Sequence, residues 1–148
     1  MRLLVQRSLN SKVEVEGKIT GSIDFGLVVL VGFEEHDTEK DIDYLVKKVV
    51  NLRIFDDDEG IMNKSLLDVN GKILSVSQFT LYADTKKGNR PSYIRAMKQE
   101  KAKEYYHLFN EKLKQYCKVE EGIFRENMKV SITNDGPITI LLESRESC

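Results

Sequence analysis

The first third of the chain consists of short apolar and alternating segments that predict β-strands. Residues 3–6 are apolar, and residues 13–17 alternate between polar and apolar side chains before a turn. Residues 19–23 predict a short return strand, whereas residues 27–33 are continuously apolar, which is typical of a strand buried on both faces. This part of the chain is therefore predicted to form a sheet.

Two helices are predicted where apolar positions recur at spacings of three and four. The first begins at an N-cap formed by Asp37 or Thr38, with Asp41 in its first turn. Its apolar face comprises Ile42, Leu45, Val46, Val49 and Val50. The second helix spans residues 99–116, and its aromatic stripe is interpreted as core packing rather than a surface for stacking bases. The stripe comprises Ala102, Tyr106, Phe109, Leu113 and Tyr116.

Turn signals separate the remaining segments. Asn70-Gly71 lies between two apolar runs and predicts a β-hairpin. Residues 56–60 form an acidic turn whose ligand and glycine spacing does not fit a calcium loop. Two closing strands, residues 128–133 and 138–143, flank a polar segment, and residues 144–148 are expected to be a loose tail.

Composition narrows the class of protein. A length of 148 residues predicts a single domain over residues 1–148, and 41% hydrophobic with 32% charged residues is typical of a folded, soluble chain. The net charge of −1 means that any nucleic-acid binding must come from a local patch. No apolar run approaches the ~20 residues of a membrane span, and no signal peptide is recognisable, so we expect a cytoplasmic protein without membrane contacts. Cys117 and Cys148 belong to no motif and are interpreted as a buried thiol and a tail thiol, which suit a reducing compartment.

Conventional catalytic and cofactor motifs are missing from the sequence. His36 and His107 neighbour no triad or metal-ligand pattern, and no P-loop, nucleophile elbow or dinucleotide fingerprint occurs, so we predict neither a metal nor a cofactor. Two polar clusters on apolar frames remain. Ser77-Gln78-Phe79-Thr80 follows an apolar strand and is either an exposed edge or a site, while Asn134-Asp135-Gly136-Pro137 is either a β-turn or a site.

Together these clusters resemble the D-aminoacyl-tRNA deacylases, the D-tyrosyl-tRNA deacylase family. The resemblance extends from end to end and includes residues 1–7, 26–32, 52–55, 62–63, 77–81, 87–92 and 134–139. It implies an α+β fold in which a curved, mainly antiparallel, barrel-like sheet carries two main helices. It also implies hydrolysis of the ester that joins a D-amino acid, or glycine mischarged on tRNA(Ala), to the terminal ribose of tRNA.

The resemblance assigns the catalytic role to Ser77, Gln78, Phe79 and Thr80. An ester has a good leaving group, so the main requirement is a set of fixed donors for the tetrahedral oxyanion. Thr80 is either a nucleophile or a residue that only shapes the pocket while the ribose 2′-hydroxyl of the substrate assists hydrolysis. Because the sequence shows no group that would activate Thr80, the second alternative is favoured.

The resemblance gives the second cluster a different role. Gly136 and Pro137, joined by a cis bond, form a chiral filter that rejects L-amino acids and reaches into the site of a partner subunit, so a homodimer is expected. Arg7 is expected to hold the Gly-Pro carbonyl. The family assigns Phe79 and Met128 to the terminal adenosine. The family has small residues where this chain has Arg125-Glu126-Asn127.

The basic loop supports a substrate made of nucleic acid. Lys86, Lys87 and Arg90 are expected to meet acceptor-stem phosphates, with modest, salt-sensitive affinity. The alternative hypothesis is a non-catalytic nucleic-acid-binding module on the same fold. Such a module needs the basic loop but not the Gly-Pro segment.

Overall fold

A five-stranded mixed sheet and two helices make up the computed structural model, which describes residues 1–145. The strands are β1 (Arg2–Val15), β2 (Lys18–Gly32), β3 (Phe55–Asp56), β4 (Met62–Lys64), β5 (Lys72–Ser77), β6 (Val119–Glu121) and β7 (Lys129–Glu143). The helices are α1 (Glu39–Asn51) and α2 (Gln99–Leu113). The main core joins the helices to one face of the sheet, and a smaller cluster around Val28, Leu74 and Val76 lies on the other face.

The order of the sheet corrects one prediction. Its strands run β6-β5-β2-β1-β7, and β3 pairs only with β4 in a separate ribbon. β1 pairs antiparallel with β2 and β7, whereas β5 pairs parallel with β2 and β6. Among the described residues β6 and β7 are the two edges, so the sheet is open rather than barrel-like. It is mixed, although its two longest pairings, β1 with β2 and β1 with β7, are antiparallel as predicted. The parallel pairing arises because the chain passes through α1 between β2 and β5, which is a crossover connection.

β1 and β2 are longer than the sequence pattern predicts. The four predicted segments merge into two strands of 14 and 15 residues that pair along most of their length. Ser8 and Ser11 interrupt the apolar pattern of β1, yet both are buried. Their hydroxyls donate to the carbonyls of Gln6 and Leu9 at 2.9 Å, which satisfies the buried polar atoms inside the strand.

The predicted helices are confirmed. Thr38 is the N-cap of α1, and its N–H donates to Asp41 Oδ2 at 2.8 Å, while the predicted apolar face is buried. α2 ends at Leu113, three residues before the predicted end. Within the aromatic stripe Tyr106 and Phe109 are buried, which confirms their core role, but Tyr116 lies beyond the helix and is 42% exposed.

The predicted hairpin at Asn70-Gly71 is wrong. The Gly71 N–H bonds the carbonyl of Leu66 within a turn, and the following strand β5 pairs in parallel with β2 and β6 instead. Asn70 does adopt a positive φ of 53°, so the dipeptide forms a tight turn of another kind. The acidic residues form the predicted turn, since Asp57 Oδ1 accepts hydrogen bonds from the N–H groups of Glu59 and Ile61.

Ser144 and Arg145, the first two residues of the predicted loose tail, are held in place by other parts of the chain. The Ser144 N–H bonds the Met1 carbonyl at 3.0 Å, and Arg145 pairs with Asp37, so these two residues are fixed. The remainder of the predicted loose tail, including Cys148, lies outside the described residues. Cys117 is half-buried, and burial raises the pKa of its thiol to about 11. No helix in the described part of the chain is long and apolar enough to cross a membrane.

Candidate active site

The segment Ser77 to Thr80 lies where β5 ends and the chain turns into a 3₁₀ turn, Phe79–Tyr82. The Gln78 N–H donates to the Val31 carbonyl at 2.7 Å and so extends the sheet by one bond. Its side-chain Nε2 donates to Thr80 Oγ1 at 2.5 Å. Since the first N–H groups of a helical turn have no acceptor inside it, those of Phe79 and Thr80 are candidate donors for a ligand.

A cavity of about 400 Å³ opens beside this segment. Its volume lies within the range of small-molecule sites, roughly 300–1,000 Å³. Ser77, Gln78, Phe79 and Met128 all line it, so four of the residues predicted for the site meet in one place. Thr80 is not among the lining residues. The apolar wall comprises Val31, Phe33, Val76, Met97, Ala102, Phe124 and Val130.

Several lining residues were missed by sequence reasoning. Met97 lies just before α2, while Gln99 and Ala102 belong to its first turns. Ala102 was interpreted as core, and Met97 and Gln99 carry no motif that marks them. Their place at the cavity depends on how α2 packs across the end of β5, which is a tertiary feature.

Phe79 stands at the mouth of the cavity as part of an aromatic pair. Its side chain is 54% exposed, and its ring meets that of Tyr93 edge to face, with ring centroids 4.9 Å apart. An exposed aromatic pair offers a face on which an unstacked base can stack. Tyr93 follows the basic loop, and no pattern in the sequence connects it with Phe79.

Two charged residues form part of the cavity lining at positions where the resemblance implied small ones. Arg125 and Glu126 are both exposed, and they are the charged residues among the described lining residues. Arg125 has a φ of 69°, which favours glycine. Nearby, a Cβ on Gly122 would lie 2.6 Å from Met128 Sδ, so the small residue at 122 lets Met128 pack closely.

Arg125→Gly is expected to give a protein more stable than Arg125→Ala by about 1 kcal/mol, because alanine keeps the Cβ that makes a positive φ unfavourable. Both variants remove the guanidinium group, so their comparison isolates the backbone effect. Urea denaturation of the two variants measures the difference. Equal unfolding free energies would contradict the left-handed conformation of residue 125.

The Gly136-Pro137 segment is not a turn between two strands but a bulge inside β7. Gln6 pairs with Thr139 and Ser8 pairs with Asn134, so four residues of β7 lie opposite Arg7 alone. The Gly136-Pro137 peptide bond is cis, and both residues are exposed. Gly136 has a φ of 128°, and a Cβ there would lie 2.8 Å from Ile138 Cγ1, so this position requires glycine.

Arg7 is buried beneath the bulge and supports it. Its Nε donates to the Asp135 carbonyl at 3.2 Å, and its Nη1 donates to the Ile54 carbonyl at 3.0 Å. Asp56 and Asp135 each place a carboxylate oxygen 3.4 Å from the guanidinium group. The carbonyl that Arg7 holds is therefore that of Asp135, one residue before the Gly-Pro pair named in the prediction.

The two predicted halves of the site do not meet within one chain. Ser77 pairs with Val31 on β2, whereas the bulge lies on β7 opposite Arg7, whose partner on β2 is Leu27. Three strand spacings of about 4.8 Å and four residue steps of about 3.3 Å separate them by roughly 20 Å.

The basic loop projects from the sheet close to the 3₁₀ turn. Asp84 and Ser92 close its base through two backbone hydrogen bonds of 2.8 and 2.9 Å. Lys86, Lys87 and Arg90 are all exposed. They are therefore placed to meet an anion in solvent, at the modest strength that exposed charges provide.

The uncharged polar groups of the cavity near the 3₁₀ turn come from Ser77 and Gln78, whose side chains can donate hydrogen bonds to a negative charge that develops beside them. No cluster of three or more potential ligands for a metal ion occurs in the described part of the chain.

Comparison with known proteins places this arrangement in a family. The model for D-Tyr-tRNA(Tyr) deacylases matches residues 4–143. A solved structure named c-Myc DNA unwinding element binding protein is 40% identical, with a TM-score of 0.94 over 99% of this chain and 100% of that one. A probable eukaryotic D-amino acid tRNA deacylase shares the fold, with a TM-score of 0.83 at 17% identity over 96% of this chain and 98% of that one. Since the family model covers nearly the whole chain, this protein belongs to the D-Tyr-tRNA(Tyr) deacylase family, whose members hydrolyse the ester bond of aminoacyl-tRNA.

Proposed function

We propose that this protein hydrolyses D-aminoacyl-tRNA in the cytoplasm, accepts glycyl-tRNA mischarged on tRNA(Ala), and rejects L-aminoacyl-tRNA through Gly136 and Pro137. The observation that carries the proposal is the cavity that joins Ser77, Gln78 and Phe79 to Met128. It has the size for a terminal adenosine with a small aminoacyl group, an aromatic pair at its mouth and, in Phe79, a backbone N–H at the start of the 3₁₀ turn.

The proposed chemistry rests on electrostatic stabilisation. Attack of water on the ester carbonyl places negative charge on its oxygen, and the N–H group of Phe79 and the side chains of Ser77 and Gln78 are the donors proposed to stabilise it. Removing one such donor typically costs roughly 3–4 kcal/mol in the barrier. The substrate contributes the neighbouring 2′-hydroxyl, which takes the place of a general base on the protein.

Thr80→Ala is expected to keep most of the deacylation rate on tRNA that ends in a normal ribose. Thr80 does not line the cavity, and its hydroxyl already accepts a hydrogen bond from Gln78, so it is poorly placed to act as a nucleophile. Single-turnover hydrolysis of D-Tyr-tRNA measures the effect. A fall on the order of a thousandfold in a folded variant would make Thr80 the nucleophile.

Chiral rejection requires two subunits in this proposal. Because the bulge and the cavity of one chain are about 20 Å apart, the bulge that screens each cavity comes from the partner in a homodimer. Selectivity then arises by exclusion, since an L side chain meets the carbonyl groups of the bulge while a D side chain or glycine does not. Sedimentation that finds a fully active monomer would refute the shared site.

The deciding assay compares D-Tyr-tRNA with L-Tyr-tRNA under identical conditions. We expect rapid hydrolysis of the D-ester and negligible hydrolysis of the L-ester. No turnover of the D-ester, or equal turnover of both, would defeat the proposal.

A second candidate function is nucleic-acid binding without catalysis. The basic loop and the likeness to a protein named for DNA binding favour it. It predicts that duplex DNA binds with an affinity that Lys86→Ala and Lys87→Ala reduce, in a protein that leaves D-Tyr-tRNA intact. A gel-shift titration beside the deacylation assay separates the two functions.

A further inference from the structure

Asn134 is the last paired residue of β7 before the bulge, and its side chain reaches across to the far end of the bulge. Its Oδ1 accepts a hydrogen bond from the Ile138 N–H at 3.0 Å. Its Nδ2 donates to Thr139 Oγ1 at 2.8 Å. The Asn134 side chain therefore links the start of the bulge to Ile138 and Thr139 at its end.

The far end of this link is itself attached to the neighbouring strand. Thr139 Oγ1 also accepts a hydrogen bond from Gln6 Nε2 at 3.2 Å, and Gln6 belongs to β1. Arg7, the next residue of β1, holds the Asp135 carbonyl. Gly136 and Pro137 are the part of the bulge that these contacts leave projecting into solvent.

The link requires an amide. The Ile138 N–H can only donate, so an oxygen of residue 134 must face it, and the remaining group must then suit Thr139 Oγ1. Asparagine presents a donor there, which lets the threonine oxygen accept from both Asn134 and Gln6. Alanine supplies neither contact, whereas aspartate keeps the acceptor for Ile138 and depends on rotation of the threonine hydroxyl.

We propose that Asn134 is the positioning residue of the chiral filter, with Thr139 as its anchor. This inference rests on the proposed function, because it assumes that Gly136 and Pro137 screen the substrate. Exclusion of an L side chain requires that the carbonyl groups of the bulge keep their positions when the side chain contacts them. The four residues of the bulge have no strand pairing that would hold them in place. The two hydrogen bonds of the Asn134 side chain supply that rigidity.

The test uses Asn134→Ala, Asn134→Asp and Thr139→Val in the full-length protein. Two quantities are measured for each: exchange of the Ile138 amide hydrogen by NMR, and the ratio of D-Tyr-tRNA to L-Tyr-tRNA hydrolysis. For Asn134→Ala we expect exchange at Ile138 to accelerate at least tenfold and the D-to-L ratio to fall at least tenfold, mainly because the L-ester is hydrolysed faster. Asn134→Asp should lie closer to wild type in both.

The Thr139→Val variant keeps the shape of the anchor and removes its oxygen. We expect a smaller fall in the D-to-L ratio than for Asn134→Ala, with the same melting temperature as the aspartate variant. A residue that only stabilises the fold would lower both hydrolysis rates together and leave their ratio unchanged. That result, or unchanged exchange at Ile138, would overturn the inference.

Failure of the proposed function has a different signature. If the wild-type protein hydrolyses neither ester, or both equally, the proposed function is wrong and the filter role of Asn134 falls with it. If wild type is selective while Asn134→Ala is equally selective, the proposed function stands and only the role of Asn134 is rejected.

Discussion

Gly26→Ala is expected to leave little folded protein, with a loss of at least about 4 kcal/mol in the free energy of unfolding. Gly26 has a φ of 147°, and a Cβ at this position would lie 1.8 Å from the Lys72 carbonyl oxygen. All the nearest atoms belong to the backbone of Lys72, which pairs with Gly26 across β2 and β5. Relief of the clash therefore requires the two strands to separate, and effects of this size arise from few other causes.

Gly60→Ala is the matched control for this substitution. Gly60 also has a positive φ, 78°, but no atom lies within 4 Å of a Cβ built there. Its replacement is expected to cost about 1 kcal/mol, from the backbone conformation alone. Urea denaturation of both variants, followed by circular dichroism, gives the comparison. If the two lose similar stability, the close approach of β2 to β5 at Gly26 is wrong.

Asp37→Ala is expected to cost about 3–5 kcal/mol, because it leaves a buried positive charge without its partner. Asp37 Oδ1 lies 2.7 Å from the Met1 ammonium group, and both side chains are fully inaccessible to solvent. Its Oδ2 accepts from the Glu34 N–H at 2.7 Å, and Arg145 Nη2 donates to Oδ1 at 2.6 Å. The substitution therefore also releases the loop before α1 and the end of the chain.

Asp43→Ala is the control for loss of a carboxylate. Asp43 pairs with Lys112 on the surface and is 53% exposed, so the variant should lose less than about 1 kcal/mol. Thermal or urea denaturation measures the stability that Asp37→Ala and Asp43→Ala each lose. Similar losses for both variants would mean that the Asp37 cluster contributes no more than a surface ion pair.

The Asp37 cluster also predicts the sign of a pH dependence. Burial lowers the pKa of the Met1 amine below its usual value of 8.0, although Asp37 opposes that shift. Between the lowered pKa and about pH 8 the unfolded chain binds more protons than the folded one, so this group makes stability rise with pH. Asp37→Ala removes the opposing attraction and should steepen the rise, as denaturation at pH 6 and pH 8.5 would reveal.

Local signals predicted those parts of the fold whose causes are local. α1 follows from the helical spacing of Ile42, Leu45 and Val46 and from the cap at Thr38, and all of these act within one stretch of chain. The cavity residues Ser77 and Met128 were named through a resemblance carried by long motifs. Their proximity depends on the packing of the segment after β6 beside the end of β5.

Features with distant causes were not predictable. Asn70-Gly71 has the residues of a hairpin, but α1 and the parallel partner β2 decide where β5 goes. Arg125 has a positive φ, which is unfavourable for a residue with a Cβ, so the sequence does not predict this conformation.

The bulge also affects how the molecule can associate. β7 is an edge of the sheet, and a continuous edge of 15 residues would offer a template on which a strand of another molecule could pair. The bulge divides that edge into two stretches, residues 129–134 and 139–143. Because four residues of β7 lie opposite one residue of β1, the pairing register differs by three residues between the two stretches. A foreign strand that follows one stretch cannot continue along the other, so the same segment that we propose as a filter also guards the protein against edge-to-edge aggregation.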